Sequence, residues 1–509
     1  MARAGRGPLR PQRPASTLRR GGGVSATVSI EGTGWTLKPR RGHVVRIARE
    51  ELRWLLRHGL SRAAAVLMLI LMLAATVAAL DQRARADSAR ARAQASSDQA
   101  FLDQPDRHPH RVVHYGQFAL RPLGPLAFFD FGVDAYTGHL IYLEGHRQNS
   151  ANFGDARQSS LLLRFGQLSP AFVLQLLLPL LIVLLAHAAI ARERAGGSLR
   201  LLRVQGVPLA QIVAGKLLAQ SGVAATLSAP ALIAVLTVAS AHGRLLPAVL
   251  LCALYLLHAL LWVLLALQIS LLAPRPREAL LAGLSLWAVL CVALPRIAAD
   301  QLQRSQPLPT RVATDIGVQK ALAAIGDSHN PNDPYFSAFR QQVLERYGVQ
   351  RIEDLPVNYG GLVMLEGERL TSELFQQQMQ ALQTIEASQA DALATLGWLS
   401  PLLALRPASM QLSGTDAGTH RAFLAQAEQH RFAFVQALNT LHAEEIKQVD
   451  DRAQKLSHDT WATLPRFEFV PPAPTLDAQV LRAAAVLLLW MLLLGIALHR
   501  LAARAEHAA

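Results

Sequence analysis

Residues 191–218 read ARERAGGSLRLLRVQGVPLAQIVAGKLL, a charged, glycine-punctuated segment set between two long apolar runs. Arg192, Glu193 and Arg194 open it, and Gly196 and Gly197 free the backbone. Leu199, Leu201 and Leu202 then predict a short apolar helix that breaks at Gly206 and Pro208, before Gly215 and Lys216 enter the next apolar run. A polar lever between two long hydrophobic segments decides the fold. The runs on either side read as bilayer crossings, and the lever as the link between them at one membrane face.

Composition agrees. A chain of 509 residues with 51% hydrophobic and only 17% charged residues is too apolar for an ordinary soluble enzyme of its size. Six runs are long enough to cross hydrocarbon, which takes about 20 helical residues: 61–80, 168–190, 215–241, 245–272, 279–298 and 480–501. The first lies too far from Met1, without a convincing cleavage site after it, to be a signal peptide, and reads as a retained anchor.

Lys and Arg near the span ends orient the chain. Segment 1–61 carries thirteen Lys/Arg against three Glu, segment 191–216 carries five against one, and the link 274–278 carries Arg275 and Arg277. These are expected in the cytoplasm. Residues 299–479, with fourteen Lys/Arg against twenty-one Asp/Glu, are expected outside. Arg83, Arg85, Arg90 and Arg92 run against the rule, but long loops translocate largely regardless of charge.

The expected fold class is therefore an all-α polytopic membrane protein of six transmembrane helices with two extracytoplasmic insertions. The first, 81–167, starts helical over 81–104 and turns to β-favouring pieces, so a mixed α/β domain is expected. The second, 299–479, predicts an elongated antiparallel helix pair over 362–399 and 419–462, with Pro401 and Pro407 in the turn. Residues 191–214 form the cytoplasmic link and 502–509 a cytoplasmic tail. Residues 1–42 are Arg-, Gly- and Pro-rich and read as a disordered basic tail. Over 43–60, Val44, Val45, Ala48, Leu52, Leu55 and Leu56 share one helical side, with Arg46, Arg49, Arg53 and Arg57 opposite, as in an interfacial helix. Cys252 and Cys291 both fall inside apolar runs, so disulfides are not expected in the insertions. The formal charge of +14 sits mostly in the pieces expected in the cytoplasm, which suits anionic lipid better than nucleic acid.

The lever resembles the corresponding region of type-2 ABC exporter permeases through Glu193, Gly197-Ser198-Leu199, Leu202, Gly206-Val207-Pro208 and Gly215-Lys216. The run Arg49-Glu50-Glu51-Leu52 is similar to the amphipathic connecting helix of that family. LSPLLALRPASMQLSGTD at 399–416, HRAFLAQAEQHR at 420–431 and GVDAYTGHLIYLEGHRQN at 132–149 resemble a bacterial subfamily with large extracytoplasmic insertions of unknown function. The resemblance implies a permease subunit in the bacterial inner membrane, with both termini cytoplasmic, docked to a separate ATPase and paired with an identical or paralogous permease. ATP and Mg would bind that ATPase, and this chain would hold no cofactor. It also implies an ATPase-coupling role for Glu193, Arg194, Gly197, Ser198, Leu199, Leu202, Arg203, Gly206 and Pro208, with Leu199 and Leu202 as the docking face. The interfacial-helix residues would be Arg46, Arg49, Glu50, Arg53 and Arg57. The competing expectation is a non-transporting six-span scaffold or signalling protein whose outer domain binds a periplasmic partner.

No catalytic set emerges. A phosphate-binding loop needs G-x-x-x-x-G-K-[ST], and here Ala210 stands for the first glycine and Leu217 for the hydroxyl residue. No H-E-x-x-H zinc motif occurs. His108, His110 and His114 lack an adjacent carboxylate or cysteine set, so hydrogen-bonded or solvated histidines are expected there and no metal. His187 and His258 fall in or at the ends of spans without acidic partners, which makes no proton relay. Gly414-Thr415-Asp416 reads as a helix entry, with Asp416 or Thr419 as the cap, in preference to a ligand loop.

Overall fold

In the computed structural model, residues 42–145, 148–149, 168–326, 330, 333–473 and 477–507 are described. The basic tail expected over 1–42 thus lies outside them except for Gly42, as does 150–167 of the first insertion. The chain is mostly helical. Among the described residues, six helices are long and apolar enough to cross a membrane, and they mark the chain as a membrane protein.

α1 (Gly42–Arg57) leads into α2 (Gly59–Leu102). At 44 residues and 1.5 Å per residue, α2 is about 66 Å long, roughly twice a hydrocarbon core. The boundary expected at 80/81 is therefore no break: one continuous helix runs from the span into the first insertion. Three of the four arginines that opposed the charge rule have partners there. Arg83 donates to Gly124 O at 2.9 Å, and Arg85 and Arg90 pair with Asp81 and Asp87 one turn away.

The other candidate spans are α5 (Pro170–Ala195), α7 (Leu209–Ala241), α8 (Leu245–Leu272), α9 (Pro276–Ser305) and the apolar part of α15 (Ala478–His507). Between α5 and α7 lies α6 (Ser198–Val204). α8 is apolar all round and is the centre of the bundle, with Leu251, Leu261, Val263 and Leu267 fully enclosed. Small residues let its neighbours approach: Ala224, Ala231 and Ala239 of α7 and Ala248 and Ala259 of α8 are all buried. α5 and α9 each contain a π-helical turn, Val173–Leu177 and Val289–Ala293.

The insertions form a cap. The first supplies α3 (Pro109–Tyr115), α4 (Asp134–Thr137) and an antiparallel ribbon of β1 (Gln117–Leu120) and β2 (Leu140–Leu143), with Gln117 opposite Leu143. The second supplies α10 (Arg311–Ile325), α11 (Pro334–Tyr347), α12 (Tyr359–Leu396), α13 (Pro401–Ser413) and α14 (Ala417–Glu445). Each of these five starts on a side-chain cap, respectively Thr310, Asp333, Asn358, Ser400 and Asp416. Asp416 accepts from Gly418 N and Thr419 N, the cap rather than the ligand loop.

Two features differ from the sequence expectation. The helix pair is α12 with α14, but α14 ends at Glu445, and 446–473 holds short 3-10 turns in place of a helix reaching 462. The proline-flanked turn between them is a 13-residue helix, α13, inserted among the spans: Leu402, Leu405, Ala408 and Leu412 join the core around α8. Pro401 suits the first helical turn, so proline there opens the helix instead of breaking it.

A polar chain pins α13 in place. Gln175 of α5 donates to Tyr255 Oη of α8 at 2.7 Å, Tyr255 Oη lies 2.7 Å from Ser409 Oγ of α13, and Ser409 Oγ donates to Asp130 Oδ2 at 2.5 Å. In the cap, Arg431 of α14 is buried between Glu368 of α12 (2.5 Å) and Glu428 (2.7 Å), and also donates to Ser372 Oγ and Glu144 O. α12 and α14 meet at Gly361, where a Cβ would fall 2.4 Å from Ala443 N. Backbone cannot move aside as a flexible side chain would, so Gly361→Ala should destabilise the cap by about 1–3 kcal/mol. Thermal unfolding of the detergent-solubilised protein measures it, and an unchanged midpoint would refute this close packing.

Candidate functional site

At the end of the bundle away from the cap, α1 lies against α7. Gly215 makes this possible, because a Cβ there would stand 2.7 Å from Ile47 and 2.9 Å from Val44 O. Ala48, Glu51 and Leu55 are the buried residues of α1, while Val45, Leu52 and Leu56 stay exposed as an apolar strip. A carboxylate thus occupies the packed face. Glu51 Oε2 accepts from Lys216 Nζ of α7 at 2.7 Å and from Arg192 of α5, and its other oxygen accepts from Gln220 Nε2 at 3.2 Å. Lys216 also pairs with Glu193. The Glu51 and Lys216 side chains are 1% and 2% exposed, so the network is desolvated at its centre. Arg192 further lies 3.5 Å from the centre of the Trp54 ring, which stacks on His58.

The lever grows from this network. Arg194 donates to Leu271 O (2.5 Å) and Ala273 O (2.6 Å), satisfying carbonyls at the C-terminal end of α8. Ser270 Oγ accepts from Ile190 N and Ala191 N at 2.9 and 3.1 Å, which fixes the end of α5. Gly197 (φ 77°) and Gly206 (φ 79°) are both left-handed, so α6 is bracketed by two conformations that favour glycine. Ser198 Oγ donates to Glu193 O at 3.3 Å, and Pro208 stands exposed at the start of α7.

The face of α6 differs from expectation. Leu199 and Leu202 are half-buried against Ile190, Val207, Leu209 and Ile212 of this same chain. Leu201 and Val204, 65% and 79% exposed, point outward, beside exposed Arg200. Arg203 is half-buried. A cleft of about 750 Å³ opens between α1 and the lever, lined by Arg46, Arg53, Arg57, Arg192, Ser198 and Gln205 among others. Glu50, expected as a site residue, also lines it, but is exposed and paired with Arg53; Arg49 is exposed and outside the cleft lining.

Sequence reading missed Glu51 and the role of Lys216. The available signal was position: Glu51 sits three residues after Ala48 and four before Leu55, an acid within the apolar stripe of the helix. Among the histidines, His187 has its ring nitrogen 2.9 Å from Leu184 O, and His258 is buried with no hydrogen-bonded carboxylate among the described residues. His108 is buried too, and the carboxylate that the local sequence lacks comes from Asp451, at 2.8 Å.

A family model, a domain of unknown function (DUF3526), matches residues 311–470, the second insertion from α10 to the coil after α14. No curated protein and no solved structure matches the chain.

Removing Lys216 would leave Glu51 and Glu193 with less positive charge in a desolvated place. Lys216→Met should therefore cost about 3–5 kcal/mol, and pairing it with Glu51→Met should return part of that loss. Thermal unfolding of single and double variants reads both numbers. Strictly additive effects would show that the buried pair is not coupled.

Proposed function

We propose that this chain is the membrane-spanning permease subunit of an ATP-driven exporter, coupling ATP hydrolysis by a separate ATPase subunit to export of a substrate or to movement of its own cap. The observation that carries the reading is α6. It exposes Leu201 and Val204 to the surroundings at one end of the bundle, while its base is tied to α1, α5 and α7 through buried ions. A short helix with an outward apolar pair suits a groove on another protein.

In this reading ATP and Mg bind the partner, and closure of two ATPase subunits carries α6 with them. The ion network passes that displacement to α5 and α7, which tilt in a two-state switch at the interface with a second permease copy, identical or paralogous. The end bearing α1 and α6 faces the cytoplasm, as do both termini, and the cap stands outside the inner membrane, where a periplasmic partner could meet it. The apolar spans suit an amphipathic cargo or force transmission to the cap. Residues 311–470 would then be the part that senses or works outside.

Two outcomes are expected. Leu201→Asp with Val204→Asp places unpaired charge in the docking groove, each costing several kcal/mol. Since about 1.4 kcal/mol is tenfold in affinity, the variant should reach the membrane normally yet lose a co-expressed ATPase on purification. Full retention of the ATPase and its activity would return α6 to an ordinary loop and favour the scaffold alternative. For orientation, single cysteines at Ser96→Cys and Gln377→Cys, in a background lacking Cys252 and Cys291, should react with an impermeant thiol reagent from outside, and Ser198→Cys should not. The reverse pattern would invert the topology.

A further inference from the structure

Two sites nine residues apart, His442 and Asp451, meet a third from far back in the sequence, His108, where α14 ends. His108 immediately precedes α3, His442 lies in the last turn of α14, and Asp451 begins a 3-10 turn, Asp451–Ala453, six residues beyond that helix. His108 Nε2 is 2.8 Å from Asp451 Oδ1, and His442 Nε2 is 3.1 and 3.3 Å from the two Asp451 oxygens. One donor atom from each residue lies within 4.8 Å of the others. The two rings meet edge to face, centroids 4.5 Å apart, and both histidines are more than nine-tenths buried. Asp451 keeps 28% of its side chain exposed, so the cluster has an opening to solvent.

We propose that His108, His442 and Asp451 form a binding site for a divalent transition-metal ion, of which zinc is the best match. Around zinc, nitrogen and oxygen ligands at about 2.0–2.2 Å stand roughly 3.3 Å from one another in a tetrahedron. The observed N–O separations, 2.8, 3.1 and 3.3 Å, run from that value to about half an ångström short of it. Two imidazoles with one carboxylate suit zinc, copper, nickel or ferrous iron, whereas calcium and magnesium take oxygen ligands. Gly360 borders the donors: a Cβ there would stand in ordinary contact, 3.5 Å, with both Asp451 Oδ2 and His442 Cε1. The fourth position falls to water or to His110, whose ring centroid is 6.4 Å from that of His442.

The protons balance without net release. In the metal-free site Nδ1 of His108 accepts from His110 N at 3.1 Å, so its Nε2 carries the proton and donates it to Asp451. The ion takes the place of the Nε2 protons, and each ring instead carries one on Nδ1. His108 gives up its bond from His110 N in exchange. His442 Nδ1 is buried without a hydrogen-bond partner among the described residues, so no such bond opposes the change there. An ion here would clip the first insertion to the second beside the backbone bond from Leu456 N to Arg107 O (3.1 Å).

The full-length protein, purified in detergent and stripped with a chelator, would be titrated with Zn²⁺ alone by calorimetry and with Co²⁺ alone by visible absorption. One ion per chain is expected, with X-ray absorption reporting at least two imidazoles at the metal. Loss of a ligand should exceed the effect of losing an outer-shell partner, so Asp451→Asn and His442→Gln should each weaken binding by about a hundredfold or more. His114→Gln, outside the set, should leave it unchanged. Unchanged affinity in the first two variants, a large loss in the third, or a wild-type absorption spectrum without imidazole would each reduce the cluster to a hydrogen-bonded knot. The last measurement needs no variant to fold.

Discussion

One ammonium group, on Lys216, stands between the carboxylates of Glu51 and Glu193, and the packing of α1, α5 and α7 at that end of the bundle depends on it. Ions removed from water each carry a desolvation cost of several kcal/mol, repaid only if the partners sit in good geometry. The network is therefore close to all-or-none. Separating α1 from α7 would break the Lys216–Glu51 pair and leave each ion with only its partner on α5, and shifting the end of α5 would strand Glu193 and Arg192. Three elements are held as one body by side chains spread over 165 positions of sequence. α6 hangs from that body between Gly197 and Gly206, with its inner leucines packed on the chain and its outer pair free.

Much of the architecture was legible in the sequence. Five of the six apolar runs fall within a helix long and apolar enough to cross a membrane and the sixth, 168–190, starts two residues before its helix, since apolar runs of that length without charge leave few alternatives. One helix start in the cap was read directly, at Asp416, where the side chain caps α14. What escaped were pairings between distant segments. Nothing near Glu51 announces Lys216, and nothing near His108 announces Asp451, 343 residues away. α13 escaped for another reason: Pro401 and Pro407 flank an apolar stretch too short to look like a span, so its burial in the bundle depends on neighbours that periodicity does not reveal.

The cap is joined to the bundle by two routes of different character. The first is α2, a single uninterrupted helix that enters the cap and packs there through Phe101 against Phe434. A helix is stiff along its axis, so axial or tilting displacement of its apolar half is carried to its far end. The second is α13, held by apolar packing and by the chain Gln175–Tyr255–Ser409–Asp130. Here the constraint is chemical. Burial pushes the Asp130 carboxyl up, opposed by the Ser409 hydroxyl, so drawing α13 away would leave that acid without its main compensation.

These routes bear on how a switch at α6 would be felt far away. Gln175 lies in the π-helical turn of α5, and α5 is also the helix whose other end carries Arg192, Glu193 and Arg194. A single helix therefore touches both polar networks, one at each end. Tilting α5 strains the Lys216 cluster and the Asp130 chain together, and neither relaxes gradually, because buried polar groups are either satisfied or stranded. Such coupling favours two discrete arrangements over a continuum. The π turn is where α5 has room to change its twist, since its wider hydrogen-bond register converts to α-helical register by a local shift. In the proposed switch it is the place where the displacement would be absorbed, and the residue at its middle is Gln175.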